Sequence, residues 1–62
     1  MTPKEAEEIV VADGWKLDHI KGSHYHYTHP TKLGLVTIPF HKRPKDLPKK
    51  TVSSILKQAG LK

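Results

Sequence analysis

Cysteine is absent from this chain, and long apolar runs and carboxylates are scarce. Without cysteine the chain has neither a disulfide framework nor a thiolate zinc site. No stretch approaches the roughly 18 consecutive apolar residues that a membrane-spanning helix needs. The N-terminus opens with Thr2-Pro3-Lys4-Glu5 rather than with an apolar secretion signal. These absences predict a soluble cytoplasmic protein with no membrane contact.

The charge of the chain favours a polyanionic partner. Six Asp and Glu stand against eleven Lys and Arg, which gives a formal net charge of +5. A surplus of this kind attracts nucleic acid at long range. With 62 residues the chain has room for one domain, residues 1–62, and for no separate cofactor-binding domain. We therefore expect no cofactor.

The first half of the chain predicts a helix and two strands. Thr2, Pro3 and Glu5 form a capping box that opens the helix, and Asp13-Gly14 ends it. The alternation over residues 15–20 predicts a half-buried strand with Trp15 and Leu17 inward. After a turn at residues 21–23, residues 24–29 predict a second strand, with alternate side chains on opposite faces.

The second half predicts one more strand and one more helix. The β-branched residues of 35–38 indicate a strand that ends at Pro39. In the loop that follows, Leu47 is expected to contact the core. The last helix shows its buried stripe at i, i+3, i+4 and i+7, and this stripe consists of Val52, Ile55, Leu56 and Ala59. The predicted fold class is α+β: a helix, a three-stranded antiparallel sheet and a helix, with both helices on one face.

Histidine is abundant, and three interpretations of it compete. The chain has five: His19, His24, His26, His29 and His41. A metal site could use His24 and His26, with His29 or His41 as a third ligand, but the scarcity of carboxylates argues against it. Acid–base catalysis of RNA cleavage needs only one or two histidines beside cations, since RNA carries its own 2′-hydroxyl nucleophile. The third interpretation is a solvated strand face without chemistry, above all for His19 and His29.

Two segments are predicted to contact RNA phosphates. At the Gly22-Ser23 turn, glycine lets the backbone approach a phosphate closely, and the serine hydroxyl bonds the phosphate or orients His24. The second segment is a basic run around His41 that leads into the N-terminus of the last helix, itself an anion site. Its members are Lys42, Arg43, Lys45, Lys49 and Lys50.

Three motifs together resemble a known family. They are Gly22-Ser23-His24 followed by Tyr27, the segment from Val36 to His41, and the segment from Ile55 to Leu61. In this order and spacing they resemble the HicA (YcfA-like) toxins of HicAB toxin–antitoxin systems, over nearly the whole chain. The resemblance implies an mRNA interferase with a double-stranded-RNA-binding-domain-like fold, a catalytic histidine at His24, and a HicB-like antitoxin that masks this site. Many family members have Gly-Thr where this chain has Lys50-Thr51.

The sequence thus predicts a toxin that cleaves mRNA without a metal ion. His24 is the expected general base or acid. Gly22, Ser23, His41, Lys42, Arg43, Lys45 and Lys50 are the expected RNA contacts. The alternatives are a binding module of the same fold that holds structured RNA without cutting it, and a metal-dependent nuclease that uses His24, His26 and His41.

Overall fold

The computed structural model describes residues 1–40 and 46–62. Two helices and three strands follow one another as α1 (Pro3–Ala12), β1 (Lys16–Lys21), β2 (His24–Thr28), β3 (Val36–Pro39) and α2 (Lys49–Gln58). The strands form one antiparallel sheet in the order β1-β2-β3. The predicted α+β fold class is confirmed. In the described ranges, neither helix is long and apolar enough to cross a membrane.

Helix α1 begins and ends where its sequence signals predict. The Thr2 hydroxyl accepts a hydrogen bond from the Glu5 backbone N–H, and the Glu5 carboxylate accepts one from the Thr2 N–H. The hydrogen bond from the Thr2 backbone N–H to the Glu5 carboxylate is the main reason why the pKa of Glu5 is lowered. At the other end, the N–H groups of Gly14 and Trp15 donate to the carbonyls of Val11 and Val10. This pair of bonds is the Schellman closure of a helix, and Gly14 has the positive φ, +106°, that the motif requires.

A β-bulge in β1 decides which side chains share a face of the sheet. Leu17 pairs with Tyr27, but His19 rather than Asp18 pairs with the next residue back along β2, His26. Paired residues of antiparallel strands lie on the same face. The extra residue, Asp18, therefore shifts the alternation of β1 by one position.

The register divides the sheet into an inner and an outer face. Tyr27, Val36 and Ile38 are fully buried on the inner face, which packs against the helices. We call the opposite side the outer face. Its residues are Lys16, His19 and Lys21 of β1, His24, His26 and Thr28 of β2, and Thr37 and Pro39 of β3.

The core lies between the inner face and both helices. Ala6 and Val10 of α1 and Ile55 of α2 are buried against it, together with Trp15 and Ala59. Both helices contact β3 and each other, so both cover one face of the sheet, as predicted. Of the predicted stripe of α2, Ile55 and Ala59 are buried and Val52 packs against the core, whereas Leu56 is half-buried.

The prediction that Leu17 is buried is wrong. Leu17 and Ile20 lie on the inner face, yet they are 47% and 51% exposed. The reason is that both helices pack against β3, at the opposite edge of the sheet, and leave the edge strand β1 largely uncovered. Trp15 is buried, but it precedes β1 rather than belonging to it.

The remaining boundaries are close to those predicted. Strand β2 ends at Thr28, one residue before His29, and β3 begins at Val36 and includes Pro39, which lies on an edge strand. Leu47 is buried as expected, and its N–H donates to the Met1 carbonyl. Helix α2 ends with the same bond pattern as α1, from Gly60 and Leu61 back to Lys57 and Leu56.

Candidate functional site

His24 stands at the first position of β2, directly after a two-residue turn. Its neighbours across the strands are Lys21 on β1 and Pro39 on β3, and its side chain is exposed on the outer face. The strands therefore fix the backbone of His24 on both sides while its imidazole stays accessible.

The turn before His24 depends on glycine. Gly22 has a φ of +61°, and no non-glycine residue in the described ranges has a positive φ. A positive φ at the first of two turn residues is the pattern of a type II′ hairpin. The Ser23 carbonyl accepts a hydrogen bond of 2.6 Å from the Phe40 N–H, which ties the turn to the end of β3. The Ser23 hydroxyl remains exposed beside His24.

A groove of about 320 Å³ opens between the end of the sheet and α2. The sheet contributes His24, Thr37 and Pro39 to it, and α2 contributes Lys50, Thr51, Ser54, Ile55 and Gln58. Of the described side chains that line the groove, one is a histidine, one is a lysine and none is a carboxylate. The groove thus combines one proton-transfer group with positive charge and hydroxyl donors.

Gln58 joins the two walls of this groove. Its Oε1 atom accepts a hydrogen bond of 2.9 Å from the Thr37 backbone N–H, at the open edge of β3. This bond satisfies an edge N–H that the sheet leaves unpaired. It also fixes the amide so that its NH₂ group is the part left to donate to a ligand.

The N-terminus of α2 presents positive charge at one end of the groove. Its N-cap residue, Pro48, makes no side-chain cap, and the first turn contains no acidic residue. Within the described ranges, no side chain caps the first N–H groups of this helix, and the positive end of the helix dipole lies there. Lys50 and Thr51 of this turn line the groove.

The remaining histidines have separate surroundings. His26 stacks on His19 with ring centroids 4.5 Å apart, and its Nδ1 lies 3.0 Å from the Thr37 hydroxyl. His29 is part of the framework: its Nδ1 accepts from the N–H groups of Thr31 and Lys32, and its Nε2 lies 2.8 Å from the Asp13 carbonyl. The expectation that His29 is a solvated strand residue is wrong, because it follows β2 and holds the end of α1.

Comparison with known proteins identifies the family. The family model described as the HicA toxin of bacterial toxin-antitoxin systems matches residues 3–61. This chain belongs to the HicA toxin family. A HicA toxin is the toxin component of a toxin–antitoxin system. No match to a curated protein was found.

Within this HicA chain, the structure brings together only part of the predicted site. Gly22, Ser23, His24 and Lys50 gather at the turn and the groove. His41, Lys42, Arg43 and Lys45 lie outside the described residues, and their predicted RNA contacts stay predictions. The metal-dependent alternative also stays a prediction as far as it relies on His41. In the described ranges, no three His, Asp or Glu side chains come close enough to hold a metal ion.

Sequence reasoning missed the polar stripe of α2 in this HicA chain. Thr51, Ser54 and Gln58 follow the spacing i, i+3, i+7 and so share one face of the helix. The polar stripe runs beside the apolar stripe of α2. The spacing of its three residues was the sequence signal that could have identified it. That it faces the edge of β3 could not be read from the sequence, since it depends on how α2 crosses the sheet.

Two other titratable groups of the HicA chain have structural roles. Burial, followed by the hydrogen bond that Tyr27 donates to Glu7, raises the pKa of Tyr27 above its usual range. Tyr27 therefore remains a protonated donor that links the sheet to α1. The hydrogen bond from Lys32 Nζ is the main reason why the pKa of Asp13 is lowered.

Proposed function

We propose that this HicA toxin is an endoribonuclease, an mRNA interferase that cleaves mRNA in the groove between His24 and α2. The observation that carries the proposal is the composition of the groove. His24 is the one histidine among the described side chains of its lining, and it shares the groove with a lysine and the first turn of α2, with no described carboxylate in the lining. A volume of about 320 Å³ suits a ligand of about one nucleotide.

Cleavage in this groove follows from the chemistry of RNA. The neutral imidazole of His24 accepts the proton of a ribose 2′-hydroxyl, whose oxygen attacks the adjacent phosphorus. The bond from phosphorus to the 5′-oxygen breaks, and this oxygen takes up a proton from the imidazolium or from a second group. The products are a 2′,3′-cyclic phosphate and a 5′-hydroxyl. No oxidant, reductant or metal ion takes part in the step.

The groove supplies stabilisation for the charge that develops on the phosphate. Lys50 lines the groove together with Thr51 of the first turn of α2, and the positive end of the helix dipole lies at this turn. Lys50 stands where many relatives have glycine, and we assign it a direct phosphate contact. Gly22 and Ser23 shape the turn that presents His24. His41 is proposed as the second proton-transfer group, and Lys42, Arg43 and Lys45 as further phosphate contacts.

The partner of this toxin is proposed to be a HicB-like antitoxin that covers the His24 turn and the groove. An acidic or extended segment complements a surface that carries Lys50 and the positive end of the α2 dipole. We expect the antitoxin to protect the groove residues from hydrogen exchange and chemical labelling. A complex in which His24 stays open to the imidazole reagent diethyl pyrocarbonate would contradict it.

Expression of matched variants tests the role of His24 in cells. Wild type is expected to stop growth and degrade mRNA, and His24→Ala is expected to do neither. His26→Ala is the matched control, because it removes an imidazole from the same strand and face but not from the groove. Equal toxicity and equal mRNA loss in wild type and His24→Ala would refute the proposal. RNA that is bound by the purified wild type but left intact would favour the binding-module alternative.

A further inference from the structure

The outer face of the sheet meets the groove at His24, Thr37 and Pro39, which belong to both. We propose that this face is a second RNA-binding surface, which holds the single-stranded stretch of substrate that leaves the groove. The inference rests on the proposed function, since it takes the scissile phosphate to lie at His24. It extends that function to residues that the cleavage chemistry does not use: Lys16, His19, Lys21 and His26.

The stacked pair of His19 and His26 offers a flat surface to a base. The two rings are nearly parallel, at 17°, with centroids 4.5 Å apart. Each ring is oriented by a further hydrogen bond, His19 to the Asp18 carboxylate at 2.8 Å and His26 to the Thr37 hydroxyl at 3.0 Å. The His19 side chain is half exposed. Imidazole rings that are held in one orientation and partly exposed can serve as stacking platforms for unpaired bases.

The charge of the outer face complements an RNA backbone. Lys16 and Lys21 stand at its two ends on β1, and both are exposed. Of the six acids of the chain, Glu5, Glu7, Glu8 and Asp13 lie in α1 or at its end, and Asp46 follows the loop. The one acid on the sheet is Asp18, whose carboxylate is engaged by His19. The carboxylates are thus concentrated away from the outer face.

The geometry favours a single strand over a duplex. Strand β2 runs over five residues from His24 to Thr28, so the face is roughly 14 Å long, which accommodates a few nucleotides. Bases reach an aromatic platform only where they are unpaired, whereas double-stranded RNA is bound by shape across its minor groove. A stacked pair of imidazoles between two exposed lysines matches the first mode.

The test measures RNA binding on a His24→Ala background, which prevents cleavage. The probes are fluorescein-labelled oligouridylates of about four and about twelve nucleotides. The face variant carries Lys16→Ala, His19→Ala and Lys21→Ala, three exposed positions. The matched control carries Lys4→Ala and Lys57→Ala, which remove the same number of lysines from exposed helix positions.

We expect the face variant to bind the longer RNA at least about tenfold more weakly and the shorter RNA almost unchanged. Since each phosphate contact to single-stranded RNA contributes about 0.7 to the slope of log K against log salt, the loss of two lysines lowers the slope by about 1.4. The control is expected to keep the slope. The single substitution His19→Phe retains a stacking ring, so this variant is expected to bind the longer RNA as tightly as the His24→Ala background does.

Equal binding of the longer RNA by the face variant and the control overturns the inference. So does a blunt RNA duplex that binds the face as tightly as the single strand. Loss of antitoxin binding with unchanged RNA binding would assign the face to a protein partner and also overturn the inference.

The proposed function is judged separately, by whether cleavage of the short RNA requires His24. The face variant with an intact His24 is expected to cleave that short RNA like wild type.

Discussion

At the scale of the residue, position rather than type separates His24 from the other histidines. His24 and His26 lie two residues apart on the same face of β2, but only His24 lines the groove, because α2 runs beside that end of β3. His26 is held by His19 and Thr37, and His29 by the end of α1. The same type of side chain is therefore a candidate base at His24, a proposed stacking platform at His26 and a structural link at His29.

Gln58 provides a test of how the groove is held together. Gln58→Ala removes the acceptor of the Thr37 N–H, and we expect a loss of about 1 kcal/mol in the free energy of unfolding, because α2 loses its bond to the β3 edge. We also expect slower RNA cleavage, since the two walls are no longer tied. Ser53→Ala is the control: it gains similar helix propensity and loses only an exposed bond to Lys62. Urea unfolding measures the stability of both variants. Equal free energies of unfolding for Gln58→Ala and Ser53→Ala would refute the role of this bond.

At the scale of the element, one short segment after β2 holds the ends of both helices. His29 donates to the Asp13 carbonyl at the end of α1, and Lys32 Nζ donates to the Asp13 carboxylate. The same Lys32 donates to the Ala59 carbonyl at the end of α2, at 3.0 Å. Carbonyls at helix C-termini lack partners within the helix. The segment supplies those partners and so fixes both helices on one face of the sheet.

The tight contact between Gly14 and His29 can be measured with a matched pair of variants. A Cβ atom on Gly14 would lie 2.7 Å from His29 Nε2, whereas one on Gly34 would meet nothing within 4 Å. Both glycines have positive φ, so both alanine variants lose about 1–2 kcal/mol of stability from backbone strain. Gly14→Ala is expected to lose more, because His29 is held by hydrogen bonds on both ring nitrogens. Equal unfolding midpoints for the two variants would contradict this.

The elements of the fold follow from local signals, but the register of β1 does not. The capping box at Thr2 and the stripe of α2 each predicted an element that the structure contains. The bulge at Asp18 has no local signature, since it depends on how β1 pairs with β2. Leu17 precedes the bulge and lies on the inner face as the alternation predicts, but it is exposed because the helices leave β1 largely uncovered.

At the scale of the whole molecule, charge is divided between two sides. Most carboxylates lie in or near α1, while the groove and the outer face carry lysines and imidazoles. The sequence predicted this basic character and, through the family resemblance, singled out His24. It could not predict the groove, because Thr37 and Gln58 are 21 positions apart and meet only through the packing of α2 on β3. The family match confirms a HicA toxin, and the catalytic step remains the proposal.

The central claim is that His24 cleaves RNA without a metal ion, and the cleavage rate of the purified chain tests it most directly. A labelled oligouridylate of about four nucleotides, whose binding does not depend on the outer face, is incubated with wild type, His24→Ala and His26→Ala, each with and without EDTA. We expect cleavage by wild type and by His26→Ala in both conditions, with products that end in 2′,3′-cyclic phosphate. We expect His24→Ala to be slower by at least about 100-fold, the contribution of a general acid or base. Cleavage that persists in His24→Ala, or that EDTA abolishes and zinc restores, would contradict the account.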